Sequence, residues 1–317
     1  MKTRRATLVL SGGGSRGAFQ VGAEQVLRQE GGFDWERVYG VSVGALNGAL
    51  IAQGEYQRLV EVWRTIRRQD VYRKVWWPFV VLRLLLGKTG FYDHGVLRRT
   101  IENHVGDRPF KIPLHVGRVS LTSGAYEIVP DPDEPGAVPR PAMLDAIWHS
   151  ATMPVVWEPI GERGLVDGGL RTVTPLGDAL RLDPTELVVL NCGPDHPEVF
   201  DKPPANVLEA ARRSLADITI NEIMVNDVRE FERVNKLVRQ AKQKDVTLWN
   251  EEKNRPYVEC TMHVLRPAVH LGDSLNFEPA ELQRRIEYGK ATARQFLAGR
   301  VPEPGSSVAS QIAAARP

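Results

Sequence analysis

The sharpest chemical signal in the chain is a serine set between two glycines. Gly40-Val41-Ser42-Val43-Gly44 fits G-x-S-x-G and lies between a short β-rich run and a helical stretch of small residues. That is the context a nucleophile elbow requires. Such a turn strains the backbone at the serine, small neighbours keep side chains from colliding, and the helix N-terminus beneath favours negative charge. Ser42 is the candidate nucleophile, flanked by the elbow glycines Gly40 and Gly44. A serine hydroxyl alone is a weak nucleophile and needs a base. Histidines stand at 94, 104, 115, 149, 196, 263 and 270, and none sits in a recognisable motif.

A second signal precedes it. Gly12-Gly13-Gly14-Ser15-Arg16-Gly17 follows an apolar run and opens a helical one. It fits the G-x-G-x-x-G of dinucleotide-binding folds, but those also need an acid about 20 positions on, at the end of the second strand. Here that strand ends in Gly40-Val41-Ser42, and the nearest acids, Asp34 and Glu36, come before it. A phosphate-binding P-loop fails too, because Ala18-Phe19 stand where Lys and Ser/Thr are required. What is left is a tight turn offering backbone N–H groups at a helix N-terminus, a geometry that binds any anion, including the oxyanion of a tetrahedral intermediate. A glycine turn without chemistry is the other reading of this motif alone.

These motifs need elements to hold them. Thr7-Leu10 is expected as a buried strand, 18–29 as a helix, Val38-Val41 as a second strand and 45–53 as a helix rich in small residues. Strand–turn–helix twice within about 50 residues implies an α/β fold with a mostly parallel sheet. Residues 115–121 and 125–129 suggest a hairpin and 143–152 a helix. Further on, 187–190 and 258–265 suggest strands, 206–244 a long helical tract, and 278–297 a final amphipathic helix opened by Pro279. With no internal repeat and no clean linker, one domain over 6–298 is expected, and 299–317 is expected to be a disordered tail.

Composition narrows the partners. The chain has 317 residues and a formal net charge of +2, which argues against nucleic acid as the main partner. Two cysteines, Cys192 and Cys260, build neither a disulfide framework nor a metal site. The apolar stretch after Met1-Lys2-Thr3-Arg4-Arg5 ends at Leu10, too short for a secretion signal. No window reaches the ~20 apolar residues of a membrane span. The expectation is a cytoplasmic chain, or one peripheral to a membrane.

In order and spacing, the glycine block 12–17, the elbow at Ser42 and Asp167-Gly168-Gly169 resemble the three signature blocks of patatin-like phospholipases. Ser150-Ala151-Thr152-Met153-Pro154 also looks like a segment of that family. The resemblance covers about residues 6–191. It implies a three-layer α/β fold and hydrolysis of fatty-acyl esters by a Ser–Asp dyad, without metal or cofactor. Carried onto this chain, it makes Ser42 the nucleophile and Asp167 the general base on a loop with Gly168 and Gly169. Gly12, Gly13, Gly14 and Gly17 then frame the oxyanion hole, with Arg16 steadying that loop. A free aspartate has a pKa near ~3.9, too acidic for a good base, so burial beside the serine has to raise it.

Two other readings stand beside this one. An α/β-hydrolase triad would run Ser42, Asp167 and then His263 or His270, and a lipid- or acyl-binding protein would keep the motifs without turnover. For lipid contact the candidates are Trp76, Trp77 and Phe79, where aromatics, aliphatics and cations mix as in an interfacial segment or lid. A buried helix is the alternative there.

Overall fold

In a computed structural model, the structure describes residues 3–299 apart from 73–85, 87–88, 93–94, 131–138, 198, 201 and 252–253. Trp76, Trp77, Phe79 and the tail beyond Gly299 lie outside the described residues.

Short apolar runs ended by glycine form the sheet, as strands buried on both faces do in parallel sheets. Strand β1 (Arg4–Leu10) leads through the glycine turn to helix α1 (Ala18–Gln29), then β2 (Phe33–Val41) and α2 (Val43–Ala52). Helix α3 (Tyr56–Thr65), β3 (Gly90–Tyr92) and α4 (Gly95–His104) precede the hairpin β4 (Leu114–Ser120) and β5 (Tyr126–Val129). Helix α5 (Arg140–Ser150), β6 (Val155–Trp157), β7 (Leu165–Asp167) and β8 (Glu186–Leu190) follow. The rest comprises α6 (Val207–Arg212), α7 (Ile220–Lys242), the pair β9 (Trp249–Asn250) and β10 (Arg255–Pro256), β11 (Thr261–Leu265) and α8 (Pro279–Leu297).

The central sheet runs β11-β8-β1-β2-β4-β5, and β7 also pairs with β4. From β11 to β4 the strands are parallel, while β5 and β7 are antiparallel to β4. Alternation along each strand sorts the core into two layers. Leu8, Leu10, Val188 and Leu190 face the layer that holds α1, α2 and α8. Val9, Tyr39, Leu187 and Val189 face the other, with Val228 and Phe231 of α7. The result is a helix–sheet–helix fold with a mostly parallel sheet. Among the described residues, no helix is long and apolar enough to cross a membrane.

The expected helical tract 206–244 divides into α6, a π-helical turn (Arg213–Thr219) and α7. The expected strand 258–265 begins only at Thr261, because Val258 stands exposed off the sheet.

Helices α1 and α8 cross closely. A Cβ at Gly289 would lie 2.0 Å from the Phe19 carbonyl oxygen, and one at Gly22 would lie 1.9 Å from that of Ile286. Neither obstacle is a side chain that could rotate away. Gly289→Ala is expected to destabilise the protein by about 1–3 kcal/mol through overpacking, read as a lowered urea midpoint at unchanged slope.

Candidate active site

One strand brings the two candidate groups together. Strand β5 takes one edge of β4, so β2 and β7 share the other. Pairing with β2 ends at Val41↔Gly117, and pairing with β7 begins at Arg118↔Asp167. The residue after Val41 and the last residue of β7 therefore meet end to end. Ser42 turns sharply there with φ 57° and ψ −127°, a region that non-glycine residues enter only when their surroundings hold them. Gly40 closes β2. Gly44 lets the first turn of α2 sit on the end of β1, where a Cβ would come within 2.3 Å of the Leu10 carbonyl oxygen.

Asp167 is 1% exposed. Its Oδ1 accepts a hydrogen bond from the Gly169 amide at 2.8 Å. Burial pushes its carboxyl up to about 6, outweighing the hydrogen bonds from the Ser42 side chain and the Gly169 amide, which pull the other way. Gly168 and Gly169 continue into a short 3-10 turn (Gly168–Leu170), so the chain leaves the carboxyl without crowding it.

The glycine run forms the turn between β1 and a 3-10 turn (Gly14–Gly17), and Gly17 caps α1. Gly12 differs from its expected role. Its amide donates to the Val173 carbonyl at 3.0 Å, because the turn after β7 packs across the turn after β1. Among the described residues, the amides of Gly13 and Gly14 meet no acceptor and are the loop's available donors. Beneath them, Gln20 donates to the carbonyls of Ser11 and Leu190, both at 2.9 Å.

Two buried guanidiniums clamp this loop. The Nε of Arg16 donates to the Gly272 carbonyl at 2.7 Å, and its Nη2 pairs with Asp217 at 3.1 Å. Arg285 is 1% exposed and donates to the Ser15 hydroxyl at 2.6 Å and to the carbonyls of Leu271, Asp273 and Asn276. Burial lowers its pKa to about 10, which leaves it charged at neutral pH. Its signal in the sequence was a cation at a core position of α8, between the buried residues Leu282 and Gly289.

A cavity of about 820 Å³ opens at Ser42 and Asp167. It runs between α2, α3 and α4 over Leu46, Leu50, Trp63, Leu97 and Ile101, while Leu215 and Thr219 border its other side. His263 and His270 do not border it among the described residues. His263 instead meets Glu186 at 2.8 Å, and His270 meets the His196 carbonyl at 3.2 Å. Among the described residues, no group of three His, Cys, Asp or Glu side chains is placed to hold a metal ion.

The end of α5 supports both candidate groups. The Ser150 hydroxyl accepts from the Ser42 amide at 2.8 Å and donates to the Gly117 carbonyl at 2.6 Å. Two residues on, the Thr152 carbonyl accepts from the Asp167 amide at 2.9 Å. The resemblance singles out residues 150–154 as a segment, but the task of Ser150 emerges only in the structure. Ser150→Ala leaves a half-buried amide and a buried carbonyl without that partner, so a stability loss of about 1–3 kcal/mol is expected, measured by urea unfolding.

The family model for patatin-like phospholipases matches residues 8–180, more than half of the chain. The chain is 30% identical over 191 residues to the uncharacterized protein YqhO of Bacillus subtilis (strain 168), a match covering 53% of this chain and 64% of that protein. It is 26% identical over 189 residues to neuropathy target esterase sws of Drosophila melanogaster, covering 59% of this chain and 13% of that protein. The chain thus spans less than two thirds of the length of either relative. VipD from Legionella pneumophila superimposes with a TM-score of 0.43 at 14% identity, over 93% of this chain and 67% of that one, too loose a likeness to bear on the site. By the span and order of what matches, this chain belongs to the patatin-like phospholipase family.

Proposed function

We propose that the protein hydrolyses fatty-acyl esters of lipids through an acyl-Ser42 intermediate, with Asp167 as general base. The observation that carries the reading is a serine in a strained elbow beside a fully buried carboxyl, at the end of a large apolar cavity. Apolar walls suit an acyl chain, and the family match supports a lipid substrate.

Ser42 Oγ attacks the ester carbonyl while its proton passes to the Asp167 carboxylate. The carbonyl electrons move onto oxygen, and the amides of Gly13 and Gly14 hold that oxyanion. Collapse breaks the bond to the alcohol, which leaves with the proton from Asp167. Water then attacks the acyl-serine, giving a proton to Asp167, and the second collapse returns a proton to Ser42 Oγ and releases the fatty acid. Direct contact between acid and serine makes an orienting third residue unnecessary.

Ser42→Ala and Asp167→Ala are each expected to lower fatty-acid release from a mixed phospholipid and neutral-ester substrate set by roughly 10³-fold or more. A fluorophosphonate should label the wild type at Ser42. Absence of both release and labelling would remove the reading in favour of an acyl-binding protein.

The base works only when ionised, and burial sets its pKa at about 6. For a soluble ester, kcat/KM is expected to climb about tenfold per pH unit below that value and to level off above it. A profile flat down to pH 4 would exclude Asp167 as the base.

A further inference from the structure

The chain after β8 carries exposed aliphatic side chains, one of which, Leu215, also borders the cavity. Val199 and Val207 are 86% and 87% exposed, and Leu215 and Ile218 are 52% and 55% exposed. Large aliphatics gathered in water along one short segment mark a surface that meets a partner. Helix α6 passes directly into the π-helical turn Arg213–Thr219, where the Thr219 hydroxyl reaches back five residues to the Ser214 carbonyl at 2.7 Å. Turns of this type concentrate at functional sites.

Spacing orients the segment. Ala211, Leu215 and Thr219, at intervals of four, border the cavity, and Val207 extends that side one interval further out. Between Leu215 and Ile218, Asp217 is 2% exposed and pairs with Arg16. The exposed stripe is thereby fastened to the glycine loop by a buried ion pair.

We propose that this stripe docks the protein onto a lipid layer, with the cavity mouth held against the acyl-chain region. The inference rests on the reading of the cavity as an acyl site and adds the surface through which its substrate arrives. Two features favour a lipid layer over a protein. The exposed side chains are aliphatic, whereas hot spots between proteins concentrate in Trp, Tyr and Arg and seldom use Leu or Val. The stripe is also continuous with the cavity, and a long acyl chain reaches Ser42 without crossing water only where that mouth abuts the aggregate.

The test compares wild type with the triple variant Val199→Ser, Val207→Ser and Ile218→Ser, none of which borders the cavity. Co-sedimentation with dioleoylphosphatidylcholine vesicles is expected to weaken by about tenfold or more in the variant. Its melting temperature and its turnover of a water-soluble short-chain ester should stay within twofold or a few degrees of wild type. A wild type that ignores vesicles, or a variant that sediments as well as wild type, overturns the proposal; the first of these would turn attention to a protein partner. Sedimentation needs no turnover, so a wild type that binds vesicles through the stripe but never labels at Ser42 fails only the hydrolase reading.

Discussion

The site depends on the shared edge of one strand. Strand β4 lends the same side first to β2 and then to β7, and the handover falls between Gly117 and Arg118. Two segments more than 120 residues apart in the chain therefore finish at neighbouring rungs of one ladder. Ser42 and Asp167 sit at those ends, so backbone hydrogen bonds fix their separation. Side-chain packing then refines it: the Ser150 hydroxyl binds the Ser42 amide and the Gly117 carbonyl, and the Thr152 carbonyl holds the Asp167 amide. A serine at φ 57° persists because its backbone is held by the Ser150 hydroxyl and the adjoining strand ends, while the cavity opens beside it.

Burial sets the electrostatics. Removing Asp167 from water makes its ionised form less favourable, which raises its affinity for a proton as the proposed base role requires. The cationic groups nearby are arranged differently. Arg16 is compensated by Asp217, and Arg285 is surrounded by carbonyl and hydroxyl oxygens. Arg285, buried and donating to four oxygens, acts as a rigid staple, joining residues 271–276 to the turn after β1. In the proposed mechanism that turn presents the Gly13 and Gly14 amides without reorganising, and the staple supplies the stiffness.

Parallel sheets place functional groups beyond the carboxyl ends of their strands, where the strand order switches direction. Strand β1 is that switch here, with β2 on one side and β8 on the other. The glycine turn follows β1 and the elbow follows β2, so both face the same crevice. The cavity beneath α2, α3 and α4 continues the crevice inward, and the stripe from Val207 to Ile218 continues it outward. The proposed reaction centre, acyl chamber and docking surface thus lie in sequence along one path.

Local sequence determined the elements and their chemistry. Helix α1 spans the expected 18–29, the hairpin falls at β4 and β5, and α8 opens at Pro279. Periodicity and turn residues act over a few positions, so one chain suffices to read them. The Gly-x-Ser-x-Gly elbow and the Asp-Gly-Gly block were visible for the same reason. Other features depend on which edges and donors remain free once the sheet has closed. These include the antiparallel seat of β7, the loss of the Gly12 amide to Val173, the role of Ser150, and the Arg16–Asp217 pair 201 residues apart. Only tertiary structure decides those, because a hydrogen-bonding group has no designated partner until folding brings one within reach and removes water as the alternative.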